Sequence, residues 1–189
     1  KLRGIGIGTY VEACGANGPE TAHVTLDRDG GVTVLIGSQS TGQGHQTAYA
    51  QLVAEQFGVP PERVNVIQGD TDLIATGAGT GGTYPNGTHI AEVEIDPGTG
   101  ATRIADYVIV DDFGVTLNPL LLAGQVHGGA MQGIGQALME QAVYSASDGQ
   151  LVTGSYMDYA MPRADDLPKF TVETAKGTPC THNPLGVKG

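Results

Sequence analysis

One plan is written twice along this 189-residue chain, and the repeat constrains its fold more than any other feature. The first copy runs Ala22-His-Val-Thr-Leu-Asp27, turns at Arg28-Asp-Gly-Gly31, continues as Val32-Thr-Val-Leu-Ile36, and meets a Gly-Gln-Gly loop and a helix. The second runs Thr88 to Asp96, turns at Pro97-Gly-Thr-Gly100, continues from Thr102 to Val110, and meets Gly124-Gln-Val-His-Gly-Gly129 and a helix. Alternating side chains on either side of a glycine turn read as hairpin strands, and a 3–4 apolar spacing after them reads as a helix. The expected fold is therefore α+β, with two similar subdomains at 1–82 and 83–189, each packing helices on a small, largely antiparallel sheet.

The first loop and helix, Gly37 to Phe57, carry the most chemistry. Glycine lets backbone N–H groups approach an anionic ligand, and the first turn of a helix adds unpaired donors and a partial positive charge. The spacing nearly spells a P-loop. Gln43 stands where the lysine belongs and Gly44 where Ser or Thr belongs, so nucleotide hydrolysis is excluded. Gln43 offers instead a neutral amide donor. A bare helix N-terminus with a flexible lead-in suits the same residues. Tyr49, Leu52, Val53 and Phe57 give the helix its apolar stripe, with Gly58 as its stop and Pro60-Pro61 beyond.

The second helix is expected from about Gln125 to Gln141. Its glycines 128, 129, 133 and 135 each cost roughly 0.8–1 kcal/mol against alanine. Close approach by another backbone, by a planar ligand, or by tight packing of a buried helix would offset that cost.

The remaining candidates read as structural. Gly77 to Gly82 matches G-x-G-x-x-G, but no helix follows it. Asp70 and Asp72 cap a turn more simply than they bind a cation. His23 and His89 hold matching strand positions without a ligand partner at zinc spacing, and no metal site is expected. Asp111-Asp112 and Asp165-Asp166 are expected at solvated strand ends and turns. Asn86-Gly-Thr88 is read as a turn rather than a glycosylation site. A net charge of −11 argues against nucleic acid or anionic membranes as partners. Two isolated cysteines, no signal-like start and no apolar run of 18 residues suggest a cytoplasmic protein with no membrane insertion.

The run Gly42-Gln-Gly-His-Gln-Thr47, with Val59-Pro-Pro-Glu-Arg-Val64 and Gly69-Asp-Thr-Asp72, is similar to the molybdopterin-binding large subunit of the xanthine dehydrogenase and aldehyde oxidase superfamily. Tyr84 to His89, Val110 to Gly114, Gly124 to Gly129, Met157 to Pro162 and Asn183 to Gly189 continue the resemblance, which looks closest to the aerobic carbon monoxide dehydrogenase branch. The resemblance implies a molybdenum–pterin cofactor, in its plain or cytosine dinucleotide form. It also implies water-derived oxygen inserted into a small substrate, iron–sulfur and flavin partners, and an oligomeric parent enzyme. Gly42, Gln43 and Gly44 would lie at the metal's oxo ligand and the pterin. Gln125 would bind the pterin or its phosphate arm, opening toward the same cleft as Gln43, and Lys188 would belong to the loop that positions the active site.

Two departures from the family limit what the chain does. A segment that the family carries is absent between Gly82 and Thr83, and the glutamate that serves as base lies beyond Gly189, so no catalytic residue is assigned here. The chain is therefore expected to be a piece of a molybdenum hydroxylase that is inactive alone and retains no cofactor. A stand-alone assembly or interaction module that reuses the fold is the alternative.

Overall fold

A computed structural model describes residues 1–15, 18–77 and 81–189, so part of the Gly77–Gly82 run lies outside the described residues. In chain order the elements are β1 (Leu2–Val11), β2 (Ala22–Leu26), β3 (Val32–Ile36), α1 (His45–Phe57), β4 (Val64–Gln68), β5 (Asn86–Ile95), β6 (Thr102–Asp112), α2 (Pro119–Leu138) and β7 (Phe170–Thr174). The repeat is visible as two strand–strand–helix–strand series, β2-β3-α1-β4 and β5-β6-α2-β7. Their sheets follow the same order, β2-β3-β4 in the first and β1-β5-β6-β7 in the second. The fold is α+β, as the alternating strands and periodic helices require.

The chain divides into two compact units that interleave along the sequence. One comprises Lys1–Thr9, Gly87–Val110 and Leu122–Glu173; the other comprises Tyr10–Asn86, Asp111–Leu121 and Thr174–Gly189. In the second unit β2 and β3 are antiparallel, with Val24 opposite Val34. Strands β3 and β4 are parallel, with Val34 opposite Val66. That parallel pair is where α1 acts as a crossover, because two parallel neighbours cannot be joined by a tight turn. Val32, Val34, Ala54, Val66 and Ile74 make the buried core of this unit. Helix α1 stops at Gly58, whose left-handed φ of 66° lets its N–H donate to Ala54 O.

In the first unit Ile109 of β6 and Ala130, Met131 and Ile134 of α2 are the buried apolar residues. Strands β5 and β6 turn at residues 96–101, where Asp96 Oδ1 accepts from Gly98 N at 2.8 Å. His89 of β5 lies against Tyr107 of β6, its Nδ1 3.2 Å from the Tyr107 hydroxyl, so it is a cross-strand polar residue as the pattern suggests.

Glu94 is the least expected residue of this unit, a strand carboxylate only 6% exposed. It accepts from Lys1 Nζ at 3.1 Å, Arg3 Nη2 at 2.8 Å and Arg103 Nε at 2.8 Å. Hydrogen bonds from Lys1 and Arg103 outweigh burial and, with Arg3, hold its carboxyl at about 2. A carboxyl depressed in the fold stabilises the folded state above its unfolded value near 4.5, and that contribution disappears as pH falls toward about 2. Denaturant midpoints measured from pH 5 to pH 2 are expected to fall more steeply for the wild-type chain than for Glu94→Gln. The three cations are themselves exposed, so added salt should shrink the difference.

Candidate functional site

The loop from Gly37 to Gly44 is held at both ends by packing that leaves its centre facing outward. Ser38 N donates to Glu20 Oε1 at 2.5 Å, and Gln39 lies against Gly69. At the far end Gly44 has φ 76°, and a β-carbon there would meet the Leu121 methyl carbons at 2.8 Å. Only glycine satisfies both conditions. Between these anchors Gln43 Oε1 accepts from Thr41 N at 2.5 Å and Thr41 Oγ1 at 3.1 Å. The carbonyl of Gln43 is thus committed to its own loop, which turns its amide nitrogen to the other side as a donor.

Helix α1 then begins without a side-chain cap and without an acidic residue in its first turn. Ala48 N donates to Gly44 O at 3.1 Å and closes that turn, so the N–H groups of His45, Gln46 and Thr47 have no acceptor inside the helix. His45 stacks on Tyr49 with ring centroids 5.3 Å apart, and its Nδ1 is buried without a hydrogen-bond partner among the described residues. Burial lowers the His45 pKa, with Glu20 opposing the shift, so the neutral ring is favoured. Neutral amides, uncapped N–H groups and a neutral imidazole make a donor set for an anionic or oxo-bearing group.

The second glutamine motif sits differently. By analogy with the first repeat Gly124–Gly129 leads into a helix expected from about Gln125 to Gln141, but α2 runs from Pro119 to Leu138 and the whole motif lies inside it. Asn118 Oδ1 accepts from Leu120 N and Leu121 N at 3.1 Å, and a proline follows in the first helical position. That Asn-Pro pair is a sufficient start signal, an accepting cap followed by a residue whose missing N–H costs nothing in the first turn. Gln125 lies well inside the helix, so its backbone N–H belongs to the helical ladder and only its side chain can reach a ligand.

Lys188 is also not an open cation. Its Nζ lies 2.6 Å from Asp112 Oδ2, and the two side chains are 13% and 15% exposed. Burial pushes the Asp112 carboxyl up, but the Lys188 ammonium and the Gly114 N–H together hold it below its usual value. The surrounding backbone fixes the pair. Lys188 N donates to Phe113 O, Val115 N donates to Gly186 O, and the Asn183 side chain both donates to Val187 O and accepts from Val187 N. Asp111 beside it is 3% exposed and accepts a hydrogen bond from Tyr10, whose pKa is raised by burial and then by Asp111. Asp111 is therefore buried and Asp112 half-buried, contrary to their expected solvated position, because Tyr10 and Lys188 supply partners from distant parts of the chain. Asp165-Asp166 does sit in an exposed turn, where Asp166 Oδ2 accepts from Arg163 N. Asp70 caps its own turn through Asp72 N. Among the described residues no cluster of three or more His, Cys, Asp or Glu could hold a metal ion, and no helix is long and apolar enough to cross a membrane.

The family model described as the molybdopterin cofactor-binding domain matches residues 1–83 and 81–168. The chain belongs to this family. It is 29% identical over 276 residues to the 6-hydroxypseudooxynicotine dehydrogenase complex subunit gamma of Paenarthrobacter nicotinovorans, covering 98% of this chain and 34% of that protein. It is 25% identical over 286 residues to the carbon monoxide dehydrogenase large chain of Hydrogenophaga pseudoflava, covering 100% of this chain and 35% of the relative. A solved Cu,Mo-containing carbon monoxide dehydrogenase shares the fold with a TM-score of 0.89 at 23% identity, over all of this chain and 36% of that one. The chain thus spans about a third of the relatives it matches.

Proposed function

We propose that this chain supplies part of the cofactor site of a molybdenum hydroxylase, with the Gly42-Gln43-Gly44 loop and the start of α1 as its principal donors. The supporting observation is the uncapped α1 terminus beside a glutamine whose carbonyl is already engaged. Such a site offers N–H donors without a formal positive charge, which suits a cofactor carrying oxo and phosphate oxygens. When bound, a molybdenum–pterin group supplies two-electron oxidation with oxygen drawn from water. The residues here bind and orient it: Gln43 donates through its amide, and Gly42 and Gly44 let the backbone come close. The Lys188 ammonium is spent on Asp112, so Lys188 serves by holding residues 183–189 in place rather than by touching the cofactor.

The whole protein then oxidises a small molecule such as carbon monoxide, an aldehyde or an N-heterocycle, and passes electrons to iron–sulfur and flavin partners in an oligomeric cytoplasmic enzyme. Plain molybdopterin and its cytosine dinucleotide both suit the donor set. The 189 residues alone are expected to purify with far less than one molybdenum per chain and to show no turnover with an artificial electron acceptor. Losing even one preorganised donor or base costs roughly 10²–10⁴-fold in rate. Metal analysis near one molybdenum per chain, or measurable turnover, would overturn this. A non-catalytic assembly module is the competing reading; a full-length protein that carries no molybdenum would favour it.

A further inference from the structure

Strand β1 ends the four-stranded sheet β1-β5-β6-β7, so one of its edges has no neighbouring strand among the described residues. The strands inside the sheet fix which backbone groups line that edge. Asp96 N donates to Ala101 O where β5 turns into β6, so the even-numbered residues of β5 bond β6 and the odd-numbered ones bond β1. Gly4 stands opposite Val93, whose methyl carbon a β-carbon there would meet at 3.5 Å, and Arg3 beside it reaches Glu94. The even-numbered residues of β1 therefore aim their N–H and C=O groups at β5, while Arg3, Ile5, Ile7 and Thr9 aim theirs outward. Glu12 N, which donates to Pro85 O, keeps the same alternation past the end of the strand.

Sheets ordinarily blunt such an edge with a short strand, a proline, a bulge or a charge. Strand β1 is ten residues long and has no proline, and its outward-bonding Ile5 and Ile7 are 72% and 69% exposed. Its two cations are already tied, Lys1 to Glu94 and Arg3 to Glu92 and Glu94. Only another strand can satisfy a row of outward N–H and C=O groups, and β1 is complementary to itself. Set antiparallel to a second copy about a two-fold axis through Gly6, Ile5 faces Ile7 of that copy, Gly4 faces Gly8, and Arg3 faces Thr9. The residues whose backbone points outward are the ones that exchange hydrogen bonds in this register, which gives about eight N–H···O bonds. The four isoleucines meet on one face, and no two like charges stand opposite each other. An axis through Ile5 or Ile7 would instead set an isoleucine against Arg3 or Thr9. The charge of −11 does not gather at this edge, because Lys1, Arg3 and Arg103 surround Glu92 and Glu94. More distant charges are screened by salt.

We propose that the outer edge of β1 is a dimerisation surface, at which two copies of this chain join their sheets through antiparallel β1 strands related by a two-fold axis at Gly6. Nothing at this edge depends on a bound cofactor, so dimerisation and cofactor binding can fail separately.

Sedimentation equilibrium of the purified chain from micromolar to millimolar concentration is expected to show monomer passing into dimer. Ile7→Pro removes an outward N–H without touching the β1–β5 ladder, so it should abolish the dimer and leave the far-ultraviolet circular dichroism unchanged. Ile5→Lys combined with Ile7→Lys sets like charges opposite each other across the axis and should weaken the dimer by about tenfold or more. Ile5→Lys combined with Ile7→Glu sets opposite charges there and should retain it. A chain that stays monomeric throughout would overturn the proposal and leave the edge to a strand of another protein. A dimer that survives both Ile7→Pro and the double lysine variant would overturn it as well, because another surface would then hold the copies together. Equal loss in the two charge variants would show that the axis does not pass through Gly6, which also overturns it. If Ile7→Pro does not fold, the contrast between the two charge variants decides alone.

Discussion

Gly177→Ala is expected to loosen the second unit's C-terminal loop and to lower global stability by about 2–3 kcal/mol, the upper part of the range for a single substitution that disrupts a partly buried ion pair. A β-carbon at position 177 would lie 2.0 Å from the Asp112 carboxyl atoms. The carboxylate is on a short side chain, tied at once to Lys188 Nζ at 2.6 Å and Gly114 N at 2.8 Å. It cannot yield to the methyl group without releasing both donors. Lys188 would then be left as a mostly buried cation without its partner. Against a total stability of about 5–15 kcal/mol for a domain, such a loss is large enough to see directly in urea unfolding. Asp112→Asn and Lys188→Met combined with Gly177→Ala separate the two sources of the cost. If the methyl clash acts through the ion pair, the triple variant should recover much of the loss, whereas a purely backbone cause would leave it as unstable as Gly177→Ala.

This centre also shows where sequence reasoning stops. Asp112 and Lys188 lie 76 positions apart, and nothing in the spacing of either announces the other. Adjacent acidic residues are ordinarily solvated, so Asp111 and Asp112 gave no sign of burial; the partners that make burial tolerable come from β1 and from the end of the chain. The Glu94 cluster was invisible for the same reason, since its cations at positions 1, 3 and 103 meet only when β1 and β6 flank β5. Local signals fared better. Period-2 strands around Asp29-Gly30-Gly31 and Pro97-Gly98 gave the hairpins, and Gly58 gave the end of α1, because turns and caps depend on residues only a few positions apart. The start of α2 was legible in Asn118-Pro119, yet the analogy between Gly42-Gln43-Gly44 and Gly124-Gln125 pointed to a loop. Similar glycine–glutamine chemistry occupies a loop in one copy and a helix face in the other.

That helix face yields the opposite prediction to Gly177. Replacing Gly124, Gly128, Gly129 and Gly133 together by alanine is expected to stabilise this chain by about 3–4 kcal/mol, because each glycine inside a helix costs about 0.8–1 kcal/mol against alanine. The new methyl groups have open space, since nothing lies within 4 Å of any of the four positions. None of the four has a positive φ, so alanine introduces no backbone strain. Part of the gain comes from the unfolded chain, which loses conformational freedom with each substitution. Gly135 is the internal control. Its β-carbon would fall 2.4 Å from Glu140 Oε1 and 2.5 Å from Pro162 Cγ, so Gly135→Ala should destabilise while its neighbours stabilise. Equilibrium urea unfolding with α2 helicity followed by circular dichroism gives both signs in one experiment. A quadruple variant no more stable than wild type would mean that the glycine face is already covered in the isolated chain. A gain of the expected size would mean that the sequence gives up helix stability at four exposed positions, a loss that close approach by another backbone or by a planar ligand would offset.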